Sequence, residues 1–193
     1  LYVEDIFNPV KKIKDRYYDI GYIGRFNHIK GIKNLTESLN LLKKNNINIS
    51  ALYVGDGDLE GEIKNAVEFY GLCVTFAGWV DKIELSKCLN DIKLLIVPSY
   101  VEGLPNIILE SMACGTPVLA TNVGGIPDLI TEHETGFFLE NNSPECISNS
   151  IIHVLELPFL YLVAHNAMIS STQRYSYESI LDQWRNIIKT ICK

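Results

Sequence analysis

The sequence predicts an α/β protein built on a doubly wound, Rossmann-like parallel sheet. Short apolar segments rich in Ile, Val, Leu and Tyr alternate with longer amphipathic stretches, and this alternation continues to about residue 140. Apolar strands joined by helical crossovers form a parallel sheet that helices cover on both faces. Since such folds bind ligands at the carboxyl ends of their strands, the loops after the strands are where a site is expected.

Six strands and six main helices follow from this pattern. The first strand ends at Gly24, the second at a Gly55-Asp56-Gly57 turn and the fourth at Pro98, all turn-forming residues. The predicted strands are 19–24, 50–55, 74–77, 94–98, 117–121 and 136–139. The predicted helices are 31–45, 59–70, 82–90, 105–114, 125–131 and 177–191, and another helical pattern starts at 143–145 and is interrupted at Pro158.

The two ends of the chain differ from the alternating region. Residues 1–18 contain four cations and no clear period, which indicates a linker leading into a domain that spans 19–175. In the C-terminal segment, 176–193, one apolar stripe favours a core-facing helix, and packing on a domain outside this chain is the alternative. The chain begins at Leu1 rather than Met, so we expect it to be a piece of a longer protein. The stripe comprises Ile180, Leu181, Trp184, Ile187, Ile188 and Ile191.

Composition and charge exclude several classes of protein. The 193 residues are 47% apolar and 21% charged, which is typical of a globular protein. A net charge of −6 argues against nucleic-acid binding, because that function needs clustered Lys and Arg. Five widely spaced cysteines indicate reduced thiols and a cytoplasmic location, and the histidines show no metal-ligand spacing.

The loop after the first strand carries two cations beside the start of a helix. Gly24 permits close approach of a ligand to the backbone, and Arg25 and Lys30 follow it. An arginine binds two phosphate oxygens at once and a lysine adds a point charge, so the loop predicts a phosphate site. The alternative is that both cations are solvated surface residues.

The loop after the second strand is acidic and supports three interpretations. Its glycines resemble a loose dinucleotide-binding motif, but Asp56, Asp58 and Glu60 would repel a pyrophosphate there. Asp56 and Asp58 are also compatible with a two-carboxylate metal site. A tight turn followed by acidic residues at a helix N-terminus is favoured over both.

Two glutamates flank the start of the helix after the fourth strand. Pro105 suits the first turn of a helix, so the loop 103–107 is expected to present free backbone amides to an anion or a sugar oxygen. Glu102 precedes this helix and Glu110 interrupts its apolar sequence, without a cation four residues away to explain it. The two carboxylates are therefore expected to bind different parts of one ligand, and the alternative is that both are solvated glutamates.

These residues resemble a known family. Glu102 and Glu110, separated by seven residues and followed by Ser-Met-Ala-Cys-Gly-Thr-Pro-Val at 111–118, are similar to the motif of retaining glycosyltransferases of the GT-B fold, the glycosyl transferases group 1. The 24–31 loop resembles that family's diphosphate-binding loop. Segments 122–128 and 135–137 resemble the family's next characteristic segment, and 5–9 resembles its interdomain stretch.

The resemblance implies that this is the C-terminal, nucleotide-sugar-binding half of an enzyme that transfers a hexose, with retention, to a glycan or lipid-linked acceptor. Arg25 and Lys30 would contact the diphosphate in place of a metal, and Glu102 would face the sugar. Glu110 would bind the ribose. The other donor-binding residues implied are Gly24, Trp79, Val80, Gly103, Leu104, Pro105 and Asn106, with Trp79 and Val80 beside the base.

The resemblance also implies partners and alternatives. The acceptor site would come from an N-terminal domain outside this chain, so the fragment alone is expected to be inactive. No metal cofactor is expected, and contact with the inner membrane face is expected only through the rest of the protein. A GT-B epimerase or phosphorylase, or a non-catalytic nucleotide-sugar-binding module, is the alternative function.

Overall fold

Six parallel strands form one sheet in a computed structural model that describes residues 2–191. The strand order across the sheet is β3-β2-β1-β4-β5-β6. Successive strands are added on one side of β1 and then, from β4 onward, on its other side, so a crevice opens at the carboxyl ends of β1 and β4. The predicted doubly wound sheet is confirmed. The strands are β1 (Ile20–Ile23), β2 (Ala51–Val54), β3 (Val74–Gly78), β4 (Leu95–Val97), β5 (Val118–Thr121) and β6 (Phe137–Leu139).

The described residues contain seven α-helices, and all but the last cover the sheet on its two faces. Buried side chains of α1, α2 and α5 form most of the helical part of one apolar cluster, and those of α3 and α4 pack in a second cluster on the opposite face. The helices are α1 (Ile32–Lys44), α2 (Glu60–Tyr70), α3 (Lys82–Asp91), α4 (Asn106–Ala113), α5 (Pro144–Leu155), α6 (Leu160–Tyr175) and α7 (Tyr177–Ile191).

One helix prediction is wrong. Instead of a helix over 125–131, the chain forms a single 3-10 turn, Ile126–Asp128. Gly124 adopts a left-handed φ of 57°, and the Gly125 amide donates to the Gly103 carbonyl oxygen at 2.8 Å. Because this segment is held against the 103–107 loop, it cannot extend into a regular helix.

The segment before β1 packs on the domain. The Val3 amide donates to the Tyr175 carbonyl at the end of α6, and Phe7 is buried in the second apolar cluster. Arg16 is also buried, and its guanidinium donates to the carbonyls of Ile92 at 3.0 Å, Cys114 at 2.9 Å and Gly115 at 3.1 Å. Burial lowers the pKa of Arg16 to about 10. This arginine therefore ties the segment to the ends of α3 and α4.

Helix α7 does not face the core. None of its residues is buried, and Trp184, Ile187, Ile188 and Ile191 are all exposed. The core-facing interpretation of its stripe is therefore wrong, while packing on another domain stays a prediction. Cys192, counted among the cysteines above, lies outside the described residues.

Within residues 2–191 no single helix is both long and apolar enough to cross a membrane. Helices α5 and α6 reach that composition only as a pair, and they meet at 96°.

Candidate functional site

A cavity of about 380 Å³ opens at the carboxyl ends of β1 and β4, where the sheet order reverses. It is formed by the 24–30 loop on one side and by α4 with its preceding loop on the other. Hence the structure brings together residues that are more than 70 positions apart in the sequence. The predicted site residues in its lining are Gly24, Arg25, Lys30, Glu102, Pro105, Asn106 and Glu110.

Lys30 and Glu102 form an ion pair inside this cavity. The Lys30 Nζ lies 2.7 Å from one carboxylate oxygen of Glu102 and 2.8 Å from the other. The Ser99 hydroxyl donates to Glu102 Oε1 at 2.7 Å. Only 7% of the Glu102 side chain is exposed, against 32% of that of Lys30. Neither residue is therefore simply a solvated surface charge, and the lysine predicted to bind phosphate is held by a carboxylate.

Helix α4 presents free amides to the same cavity. The backbone amides of Asn106 and Ile107, which both line the cavity, donate no hydrogen bond to any residue of the described chain. Pro105, the N-cap, has no amide hydrogen, and no side chain caps this helix. The positive end of the helix dipole is thus available to an anion, as predicted.

Glu110 lies one helical turn further along α4 and is half-buried. Burial is the main cause that raises the pKa of this carboxyl group, and the negative charge of Glu4 adds to it. Lys82 at the start of α3 opposes the rise, although it forms its own ion pair with Glu4. Among residues 2–191 the Glu110 carboxylate has no hydrogen-bond partner, so it is available to hydroxyl groups of a ligand.

Arg25 is exposed at the opposite wall, and its backbone is fixed from two sides. The Tyr22 hydroxyl donates to the Arg25 carbonyl at 2.8 Å, and the next residue, Phe26, is buried against the rings of Tyr22 and Tyr53. Burial raises the pKa of the Tyr22 phenol, so its proton stays available for this bond. The guanidinium is thus an exposed cation at the end of a flexible side chain on a fixed loop.

The acidic turn after β2 supports the Arg25 loop. A Cβ atom on Gly55 would lie 2.1 Å from the Gly24 carbonyl oxygen, and one on Gly57 would lie 2.5 Å from that of Phe26. The Phe26 amide also donates to the Asp56 carbonyl at 2.6 Å. These contacts agree with the tight-turn interpretation. No group of three or more His, Cys, Asp or Glu residues in the described chain could hold a metal ion.

Four predicted site residues lie outside the cavity lining. Trp79, just after β3, is 76% exposed, and Val80 packs partly on the second apolar cluster. Leu104 is exposed, whereas the Gly103 carbonyl accepts the bond from Gly125 described above. Their assigned roles toward the base and the sugar stay predictions.

Two residues of the site were missed by the sequence reasoning. Ser99 is buried and orients Glu102, and Tyr22 fixes the Arg25 carbonyl. Ser99 lies two residues after β4 and three before Glu102, and this position at a strand end could have indicated a site residue. Tyr22 gave no signal, because a tyrosine within an apolar strand is typical of a core residue.

Comparison with known proteins places the chain in a family. The family model described as "Glycosyl transferases group 1" matches residues 3–174. The capsular polysaccharide biosynthesis glycosyltransferase CapM of Staphylococcus aureus is 25% identical over 194 residues, covering 94% of this chain and 50% of that protein. The chain spans about half the length of the curated relatives it matches.

Two solved structures are similar throughout. One is a point mutant of S. aureus TarM in complex with fondaparinux, alpha-GlcNAc-glycerol and UDP, with a TM-score of 0.80, 28% identity and coverage of 95% of this chain and 38% of that chain. The other is the C-terminal domain of LpcC, a group 1 family glycosyl transferase from Francisella tularensis, with a TM-score of 0.77 and 25% identity over 89% of this chain and 97% of that one. With its parallel sheet, its strand order and this match over nearly its whole length, the chain belongs to the group 1 glycosyltransferases.

Proposed function

We propose that this chain is the nucleotide-sugar-binding, C-terminal domain of a retaining glycosyltransferase that transfers a hexose to a glycan or lipid-linked acceptor. One observation carries the proposal: Arg25, Lys30, Glu102 and Glu110 line one cavity with the uncapped start of α4. Two cations, a helix N-terminus and two carboxylates match the alternating anionic and hydroxyl-bearing parts of a nucleoside-diphosphate sugar.

The diphosphate is assigned to the space between the 24–30 loop, with Arg25 and Lys30, and the start of α4. The exposed guanidinium of Arg25 can bind two phosphate oxygens, and the free amides at 106 and 107 can bind others. Lys30 joins this set when the diphosphate competes with Glu102 for its ammonium group. Before the donor arrives, the pair keeps both charges compensated in a partly buried cavity.

Glu102 is assigned to the sugar. Once Lys30 turns toward phosphate, the carboxylate still held by Ser99 can accept hydrogen bonds from sugar hydroxyls. As the bond between the sugar and the diphosphate breaks, its electron pair goes to the departing nucleoside diphosphate. Arg25, Lys30 and the dipole of α4 stabilise that added negative charge, so no metal is required for this step.

Glu110 is assigned to the ribose and the end of β3 to the base. The Glu110 carboxylate is half-buried, has a raised pKa and has no hydrogen-bond partner within residues 2–191. Hydrogen bonds from the two ribose hydroxyls would stabilise its charged form. Trp79 and Val80 follow β3 on the same edge of the sheet and would lie along the base. The solved TarM complex contains UDP, which supports a uridine nucleotide as the first one to test.

The remaining parts of the reaction are assigned to an N-terminal domain, since the chain spans about half of its relatives. The acceptor site and further groups at the reaction centre would come from there. We expect a cytoplasmic enzyme of polysaccharide assembly, in line with the capsular polysaccharide biosynthesis named for CapM. The 193-residue chain alone should bind nucleotide weakly and transfer no sugar.

Calorimetric titration of the chain with UDP and with GDP tests this assignment. Arg25→Ala and Lys30→Ala should each weaken binding about tenfold or more, as expected for lost charge-assisted hydrogen bonds. Lys33→Ala is the matched control, because Lys33 lies on α1 and pairs with Glu62 at the surface. Absence of binding to either nucleotide, or unchanged binding in both variants, would refute the diphosphate assignment.

A further inference from the structure

A second, larger groove lies at the amino ends of the strands, on the edge of the sheet opposite the donor cavity. Its volume is about 1100 Å³, and its lining includes Lys93 just before β4 and Gly115 just before β5. All of its charged lining residues are cationic, and no carboxylate of the described chain lines it. These cations are Lys11, Lys12, Lys14, Arg16 and Lys93, and we call this site the basic groove.

The positive charge of the basic groove is only partly compensated. Lys11 pairs with Asp91, and Lys93 pairs with Asp19 at 2.9 Å. Lys12 and Lys14 are exposed and form no ion pair within residues 2–191.

The charge of Arg16 adds to this excess. Its guanidinium contacts only carbonyl and hydroxyl oxygens. Asp15 is exposed on the same segment but is not part of the lining, so the groove keeps a net positive charge on a chain of net charge −6.

Exposed apolar side chains stand beside these lysines. Tyr161 lines the groove at the corner between α5 and α6 and is 69% exposed, and its neighbour Leu162 is 46% exposed. Val10 and Tyr17 on the preceding segment are exposed as well. Aromatic and aliphatic side chains next to lysines are the combination that favours the boundary between lipid headgroups and acyl chains.

We propose that the basic groove and the α5–α6 corner dock on a lipid bilayer that contains anionic phospholipids. Lys12 and Lys14 contact headgroup phosphates, and Tyr161 and Leu162 enter the interface. The donor cavity, at the opposite edge of the sheet, stays open in this orientation. The inference is independent of the proposed function.

This inference differs from the expectation drawn from the sequence, in which membrane contact was assigned only to the rest of the protein. The structure favours membrane contact by this domain itself, because five cations line the groove and no carboxylate of residues 2–191 does. Helix α7 is another exposed apolar surface, but it carries charges of both signs: Glu178 and Asp182 in its first half are followed by Arg185 and Lys189 in its second half. It therefore offers no selectivity for anionic lipid.

Flotation of the 193-residue chain with phosphatidylcholine vesicles, with and without phosphatidylglycerol, tests the proposal. Binding should require phosphatidylglycerol and fall steeply with added salt. The Lys12→Glu/Lys14→Glu variant should lose roughly tenfold or more in vesicle affinity. Tyr161→Ser/Leu162→Ser should weaken binding to the same vesicles without changing its salt dependence.

Two controls separate this surface from the rest of the molecule. Lys44→Glu/Lys64→Glu makes the same change in net charge at exposed sites on α1 and α2 and should leave vesicle binding nearly unchanged. Trp184→Ser on α7 should also leave it unchanged. Equal binding to neutral vesicles, no effect of the Lys12 and Lys14 changes, an equal loss in the lysine control, or loss caused by Trp184→Ser would each overturn the proposal.

Discussion

The ammonium group of Lys30 lies within 2.8 Å of both carboxylate oxygens of Glu102. The two residues belong to different strand-end loops, and their pairing joins the two sides of the cavity at the ends of β1 and β4. Lys30, which we propose to bind phosphate, is therefore already paired with a carboxylate. To bind the diphosphate of a donor, its ammonium group would have to exchange Glu102 for a phosphate oxygen.

Glu102→Gln should therefore increase the affinity for a nucleoside diphosphate. Because the neutral amide competes less for Lys30, the affinity should rise roughly two- to fivefold, as expected for a partly exposed ion pair. Calorimetry with UDP measures the change, and Glu84→Gln, which removes an exposed pairing with Lys87, is the control. Weaker UDP binding in Glu102→Gln would show that the carboxylate supports phosphate binding instead.

Glu110→Gln should weaken nucleotide binding and stabilise the unliganded protein. Loss of charge-assisted bonds to ribose should reduce affinity by about ten- to a hundredfold. Burial raises the pKa of Glu110, so the folded state binds its proton more tightly than the unfolded state does. Burial of Glu110 therefore costs no stability at pH values below the ordinary pKa, where the carboxyl group is protonated in both states. The loss of stability is complete at pH values above the raised pKa, where the buried group is ionised.

Urea unfolding across this pH range checks the second effect of Glu110→Gln. The free energy of unfolding of the variant should exceed that of the parent protein at neutral pH, and the difference should shrink toward acidic pH. A difference that stays constant with pH would contradict the role of burial.

Gly124→Ala should destabilise the fold and disturb the Glu102 loop. A Cβ atom at this position would lie 1.9 Å from the Glu102 carbonyl oxygen, and the backbone φ is +57°. Such strain costs about 1–3 kcal/mol. Gly61→Ala is the matched control, since nothing lies within 4 Å of a Cβ atom there and alanine in helix α2 should add about 0.5–1 kcal/mol of stability. Equal effects of the two substitutions on urea unfolding would reject this explanation.

Arg16→Met should lower the free energy of unfolding by about 3 kcal/mol, because buried carbonyls at the ends of α3 and α4 lose their donor. Thermal unfolding followed by circular dichroism measures the loss. Arg185→Met, which removes an exposed arginine paired with Asp182 on α7, should change stability little. Comparable losses of unfolding free energy in the two variants would mean that the buried hydrogen bonds of Arg16 do not stabilise the fold.

Periodicity was sufficient to predict the sheet, because the strands are short and apolar and most of them end at or before a turn residue. It also indicated that Arg25, Lys30 and Glu102 stand at strand ends, which is why they meet in one cavity. The ion pair between Lys30 and Glu102 could not be predicted, since it depends on the distance between two loops 72 residues apart.

The errors have equally local causes. The 125–131 segment was predicted to be a helix, but contacts of Gly124 and Gly125 with the neighbouring loop prevent a regular helix. The stripe of α7 satisfies the pattern of a core helix, although the second cluster is already filled by side chains of α3, α4 and α6. A pattern indicates that a surface is apolar and leaves open which partner covers it.

The buried contacts of the segment before β1 have a mechanical consequence. Val3 is bonded to the end of α6, Phe7 is anchored in the second cluster, and Arg16 links the ends of two helices. Any rotation of this domain against another part of the protein would therefore carry residues 3–18 along as part of one rigid body. A hinge for such a rotation would have to bend outside that segment.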